Sequence, residues 1–162
     1  MFKISTKGDY GLLLLSALAQ RLNCGKKYVS LKEIAQAKNL SLSYISQIIL
    51  PLKKAGLVTS KEGRDGGYSL SKPANKISIM EILEALEGPL MPTRCCSDKS
   101  AKCGNEALCN LKFTWRAAKS MLADFLSAKT LADTLCPPGG CSTLRPFDEL
   151  TAGEAQGDIC SK

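Results

Sequence analysis

Apolar residues recur along this chain with a helical period that is interrupted once by strict alternation. The short run Leu12 to Leu15 continues into Leu18 and Leu22 at helical spacing, which predicts a first core helix. Leu31, Ile34 and Ala35 predict a short second helix, opened by Ser30 with Glu33 three residues on as a capping box. After a tight connection at Asn39 and Leu40, the residues Leu42, Ile45, Ile48, Ile49 and Leu52 predict a third helix. Ser41 or Ser43 opens it, Pro51 kinks its last turn by removing a donor, and Gly56 ends it. The stretch "LVTSKEGRDGGYSL" then alternates apolar and polar positions on both sides of a Gly/Asp-rich tip, the pattern of a β-hairpin. Helical spacing returns at Ile77, Ile79, Ile82, Leu83 and Leu86 and stops at Gly88 and Pro89. Past a cysteine-bearing loop, residues 106–135 form a long amphipathic stretch with Leu108, Leu111, Trp115, Ala118, Leu122, Phe125 and Leu126 on one side. The predicted fold is mainly α with a small β-hairpin wing: a winged helix-turn-helix domain plus a long dimerisation helix.

A helix that long on a small domain exposes an apolar stripe unless a second copy covers it, so the stripe predicts a symmetric homodimer. Three regions follow: residues 1–76 as the winged helix-turn-helix domain, 77–135 as the cysteine loop and dimerisation helix, and 136–162 as a Pro/Gly-rich, acidic, disordered tail holding Cys136, Cys141 and Cys160.

Charge sharpens this division. The chain carries a net charge of +7, yet residues 1–76 hold thirteen Lys/Arg against four Asp/Glu, whereas residues 77–162 hold nine against eleven. The cationic half predicts a polyanionic partner, double-stranded DNA. With two-fold protein symmetry the expected site is a pseudo-palindromic operator. Ser41, Ser43, Tyr44, Ser46 and Gln47, on the outer side of the third helix, are the candidates for base edges or phosphate, and Gln47 is suited to adenine. Lys53, Lys54, Lys61 and Arg64 are expected at phosphates, while Gly66 and Gly67 let the wing tip approach the backbone closely.

"MFKISTKGDYGLLLLSALAQ" imitates a secretory leader, but Asp9 and Gly11 break the approach to a short apolar run, so it reads as a core helix. No segment is long and apolar enough for a membrane span, and the expected location is the cytoplasm. The chain contains no histidine, which removes His-dependent triads and relays, and no phosphate-cradling glycine loop appears. Neither an enzyme nor a small-molecule substrate is implied.

"TRCCSDKSAKCGNEALCN" concentrates four of the eight cysteines in one lysine-dotted stretch. In a reducing compartment such thiols bind metal or react more often than they form structural disulfides. Zinc at tetrahedral geometry, a metal-free thiol switch and a soft-metal cluster all suit them. Arg94, Lys99 and Lys102 offset the negative charge of thiolates. Cys24, near the end of the first helix, reads as a small buried residue.

The ordered segments "ISTKGDYGL", "SLSYISQI", "GLVTSKEGRDGGYSL", "TRC" and the Trp-containing helix resemble the IscR/NsrR-like winged helix-turn-helix regulators, the Rrf2 family, over residues 1 to 135. The resemblance implies a dimeric, cytoplasmic transcription regulator that acts as a repressor or an activator. Where members carry three loop cysteines, it implies an iron–sulfur cluster, 2Fe-2S or 4Fe-4S, responsive to cluster status, nitric oxide or redox. Cys95, Cys103 and Cys109 match those three thiols. Lys112 occupies the position where IscR-like members place a histidine ligand, and a protonated lysine does not ligate iron. Asp9 matches the aspartate by which NsrR-like members complete the cluster of the opposite protomer. Cys96 and Glu106 are further fourth-ligand candidates. Glu62 stands where the family wing usually has arginine, so operator preference does not carry over. Beside the cluster-sensing regulator stand a zinc-binding or thiol-switch regulator of the same fold and a metal-thiolate electron carrier that does not bind DNA.

Overall fold

The computed structural model describes residues 5–63, 65–91, 93 and 109–135. Among these described residues six α-helices and one hairpin follow in the order α1 (Thr6–Asn23), α2 (Leu31–Ala37), α3 (Leu42–Lys54), β1 (Val58–Lys61), β2 (Gly67–Leu70), α4 (Ile79–Glu87), α5 (Leu111–Ala128) and α6 (Leu131–Leu135), with a short 3-10 helix, Ala74–Lys76, ahead of α4. The mainly helical, winged architecture expected from the pattern is the one observed.

α1 is the central strut. Ser5 caps it, its Oγ accepting the Gly8 N–H at 3.3 Å, and Leu14, Leu15 and Leu18 are fully enclosed. They meet Ile34 of α2, Ile45, Ile48, Ile49 and Leu52 of α3, and Ile82 of α4 in a single apolar core that contains no buried polar or charged residue among those described. Gly11 allows α1 and α4 to approach: a Cβ there would collide with the Leu86 Cδ1 and lie 3.6 Å from Ile48 Cγ2. The helical periods of α1 to α4 are therefore the record of one shared interior.

The connection from α2 to α3 turns on Asn39, whose φ of 50° is the left-handed conformation that asparagine tolerates. α3 runs on through Pro51 to Lys54. Proline has no N–H, so the Gln47 carbonyl lacks its usual intrahelical donor. Leu42, expected on the inner face, is 45% exposed, because it lies in the first turn ahead of the Ile45, Ile48, Ile49 and Leu52 stripe.

β1 and β2 pair antiparallel in the register Val58 with Leu70, Thr59 with Ser69, Ser60 with Tyr68 and Lys61 with Gly67. Val29 adds a bridge to Tyr68, with backbone hydrogen bonds of 2.8 and 2.9 Å in both directions. The wing is thus fastened to the segment between α1 and α2.

Three local expectations are corrected. Ser30 caps α2 by accepting the Lys32 N–H at 3.2 Å, but Glu33 does not close a capping box; its Oε1 is held by Arg21 at 2.9 Å and Lys26 at 2.6 Å. Cys24 is exposed at the end of α1, because the helix terminates there and its inner face has already passed. The long stretch after the cysteines is two helices rather than one. Residues between them pair with the lead-in to α4 through Ile79 N–H to Lys129 O and Leu131 N–H to Ile77 O, both 2.8 Å. Thr130 and Asp133 then cap α6 reciprocally: the carboxylate accepts the Thr130 N–H at 2.8 Å and the hydroxyl accepts the Asp133 N–H at 3.4 Å.

Candidate functional site

The burial stripe of α3 fixes what its opposite side presents. With Ile45, Ile48, Ile49 and Leu52 turned inward, Ser43, Gln47, Leu50 and Lys54 line up outward at helical spacing, all four exposed. Among the described residues the side chains of Ser43 and Gln47 make no hydrogen bond, so their donors and acceptors face solvent. Ser46 flanks this row, its hydroxyl donated to the Leu42 carbonyl at 2.8 Å, which leaves the oxygen as an acceptor. Ser41 is the N-cap residue without a side-chain capping bond. Tyr44 is half-buried and packs edge-on against Tyr10 of α1, ring centroids 5.6 Å apart and planes at 89°. Its ring therefore sets how α3 sits on α1.

Lys53, at the end of α3, donates from Nζ to Ser60 Oγ of β1 at 2.5 Å and joins the helix to the wing. Lys61 holds its ammonium 5.6 Å from the centroid of Tyr28, just before the strand-like Val29. Lys54 and Lys61 are exposed. Behind the wing a shallow groove of about 510 Å³ is bordered by Lys26, Lys27, Tyr28 and Lys72. Lys26 and Lys72 are engaged by Glu33 and Glu81, at 2.6 and 3.1 Å. Arg64, expected at phosphate, lies outside the described residues.

The wing glycines serve the protein's own backbone. A Cβ on Gly66 would strike the Lys61 carbonyl oxygen. Gly67, with φ of 146°, would place one 2.6 Å from the Val29 carbonyl oxygen and 2.8 Å from its carbon. Their position is dictated by closure of the hairpin against residues 29 and 61, a reason that the DNA-centred reading of the sequence does not contain.

Of the cysteines expected to act together, Cys95 and Cys103 lie outside the described residues, as do Cys96 and Glu106. Cys109 is half-buried directly before α5. Asp9 is exposed in the first turn of α1, and its carboxylate has no partner among the described residues. That turn is tied to the approach to the cysteine stretch: Glu87 Oε1, at the end of α4, accepts both the Ser5 N–H and the Ser5 hydroxyl at 2.9 Å. Among the described residues no group of three or more potential metal ligands converges. No described helix is long and apolar enough to cross a membrane.

α5 contributes no buried residue. Leu111, Trp115 and Phe125 of the expected stripe are 64%, 42% and 59% exposed.

Two features escaped the sequence reading. Leu50, 55% exposed, belongs to the outward row by the same spacing as Gln47 and Lys54, so its place was available from periodicity. The Tyr28–Lys61 pairing joins residues far apart in sequence and left no such signal.

Residues 4–137 match the Rrf2 family, described as iron-dependent transcriptional regulators. The chain is 38% identical over 132 residues to the HTH-type transcriptional regulator CymR of Bacillus subtilis (strain 168), a match spanning 81% of this chain and 88% of that relative. Its structure is similar to that of CymR, the global cysteine regulator of B. subtilis, with a TM-score of 0.65, 36% identity, and coverage of 83% of this chain and 96% of that one. It is also similar to IscR of T. potens, with a TM-score of 0.62, 36% identity, and coverage of 96% and 94%.

Proposed function

The chain belongs to the Rrf2 family of DNA-binding transcriptional regulators, and from that premise we propose that it is a homodimer whose grip on a pseudo-palindromic operator is set by an iron–sulfur cluster. Cys95, Cys103 and Cys109 hold the cluster and Asp9 supplies the fourth ligand. The observation that carries this reading is the donor set: three cysteines within fifteen residues of a chain that contains no histidine. Thiolates are soft, strongly donating ligands, and the irregular spacing of these three in the sequence does not commit them to one helix face. Cys109 is only half-buried before α5, and the Asp9 carboxylate is exposed with no competing partner among the described residues, so both donors suit the group. When bound, a cluster with three sulfur ligands and one weak oxygen ligand supplies an iron site open to oxygen, nitric oxide or metal loss.

The DNA-binding side of the proposal rests on α3 and the wing. Ser41, Ser43, Tyr44, Ser46 and Gln47 meet the major groove, and Lys53, Lys54, Lys61 and Arg64 meet phosphates. Gly66 and Gly67 keep the wing closed and low enough to reach the backbone. A second copy covers the exposed stripe of α5, doubles the reading head and matches the two-fold symmetry of the operator. The protein acts in the cytoplasm.

A metal-free thiol switch is the second reading, favoured by the similarity to a global cysteine regulator. Anaerobic purification followed by iron, sulfide and absorbance measurements separates the two. Wild-type protein is expected to carry iron and sulfide with visible absorbance, Cys103→Ala to lose them, and Asp9→Ala to hold them less stably. Full cluster content in Cys103→Ala removes the ligand assignment. A colourless wild-type protein without iron or zinc, whose operator affinity changes on thiol oxidation, establishes the switch instead.

A further inference from the structure

One leucine stands in the middle of the polar reading face. Leu50 is 55% exposed and shares the outward row of α3 with Ser43, Gln47 and Lys54, while Ser46 and Lys53 flank it. The setting differs from that of α5, where exposed apolar residues follow one another along a stripe suited to a second copy. The other exposed leucine of α3, Leu42, lies eight residues back in the first turn, about 12 Å along the axis, so Leu50 is locally hemmed by serine, glutamine and lysine and does not make a protein seam, which needs a contiguous apolar centre. In the major groove the matching feature is equally solitary: among the four base edges, the C5-methyl of thymine is the apolar group on display.

We infer that Leu50 is a specificity-determining residue that packs on a thymine methyl in the operator. The inference rests on α3 being the helix that enters the groove. Gln47 and Leu50 are three residues apart, so their Cβ atoms lie about 5–6 Å from each other on one surface of the helix. Ser43 to Leu50 covers about 10 Å of helix axis, roughly three base-pair steps. The thymine met by Leu50 therefore falls within about two base pairs of the base met by Gln47. The pair reads an A/T-containing step, glutamine by its amide and leucine by packing.

The test separates the methyl from every other feature of the base. A duplex is selected from a randomised library by wild-type protein, and each thymine in it is replaced singly by deoxyuridine, which removes only the methyl. Wild type is expected to bind about fourfold more weakly at one thymine per half-site, and about fifteenfold more weakly when both half-sites are changed. Leu50→Ala is expected to retain a wild-type melting curve, bind the parent duplex about as weakly as wild type binds the doubly substituted one, and lose the deoxyuridine response. Leu50→Met is expected to keep it. If wild type selects a duplex yet no thymine methyl matters, or if Leu50→Ala responds identically at every position, the inference is overturned while the DNA-binding reading stands. If wild type selects no sequence at all, the groove assignment of α3 falls and takes this inference with it.

Discussion

Replacing Gly67 by alanine tests whether the wing is held by its bridge to Val29. Gly67 has φ of 146°, a conformation that costs an L-residue about 1–3 kcal/mol. The added methyl would also sit 2.6 Å from the carbonyl oxygen of Val29, and Val29 is itself buried in the core and unable to withdraw. The collision is relieved by giving up the two backbone hydrogen bonds between Val29 and Tyr68, at 2.8 and 2.9 Å, each contributing about 1 kcal/mol. Alanine also restricts the unfolded chain, which offsets about 0.4–1 kcal/mol. The balance is a loss of about 3 kcal/mol. Gly63 supplies the control: its φ is 113°, but a Cβ there meets nothing within 4 Å, so Gly63→Ala carries the strain alone and should lose only about 1 kcal/mol. Urea denaturation followed by circular dichroism measures both, and fluorescence anisotropy on operator DNA should show the larger affinity loss for Gly67→Ala, whose wing is no longer anchored. Equal destabilisation by the two variants, or a Gly67→Ala protein within about 0.5 kcal/mol of wild type, would refute the bridge argument.

Other outcomes follow from the same geometry. Lys54→Ala is expected to weaken binding to all duplexes alike and to lower the slope of log affinity against log salt by about 1.8 for a dimer that loses one phosphate contact per protomer, read from anisotropy across a salt series. Phe125→Glu places a charge in the exposed stripe of α5 and is expected to convert the proposed dimer to monomer in sedimentation equilibrium, with operator affinity falling in step; a dimer unchanged by the substitution moves the seam elsewhere. Glu81 has its carboxyl held below the ordinary value of 4.5, first by the hydrogen bond from the Ser78 N–H and further by Lys72, against a partial opposing effect of burial. A folded-state value lower than the unfolded one gives stability that is present above about pH 4.5 and lost as pH falls through the folded value. Glu81→Gln, which keeps the capping geometry, should therefore flatten the decline of melting temperature in acid.

Much of the fold was legible because one interior imposes its period on four helices. Leu14, Leu15 and Leu18, then Ile45, Ile48, Ile49 and Leu52, then Ile82, Leu83 and Leu86 are buried where their spacing places them. The alternation around residues 57–70 was equally readable, since a hairpin is a local object with its turn residues in view. The outward row of α3 followed from the inward one, which is why Ser43, Gln47 and Lys54 could be named from sequence. The proposed cysteine ligands were named by chemistry and resemblance, because their spacing in the sequence follows no period from which to infer direction.

What sequence reasoning missed came from competition between partners that are distant along the chain. Ser30-x-x-Glu33 and Ser78-x-x-Glu81 carry the same capping signature, yet only the second closes, with the Ser78 N–H bonded to Glu81 at 3.0 Å and the Glu81 N–H to Ser78 Oγ at 3.1 Å. Glu33 faces two cations, Arg21 at the end of α1 and Lys26 in the turn after it, and both reach its Oε1. A charged donor makes a stronger hydrogen bond than a neutral backbone amide, so two of them draw the carboxylate away from the cap. Glu81 meets one cation, Lys72, on Oε1 and keeps Oε2 for the Ser78 N–H. The same rule explains the break between α5 and α6. The apolar stripe already stops at Leu126, with Lys129 and Thr130 at the next helical positions, and there Lys129 O and the Leu131 N–H are taken by the backbone of Ile79 and Ile77; a carbonyl committed across the fold is withdrawn from the helix ladder. Local signatures therefore state which bonds a segment offers, and the tertiary neighbours decide which of those offers are accepted.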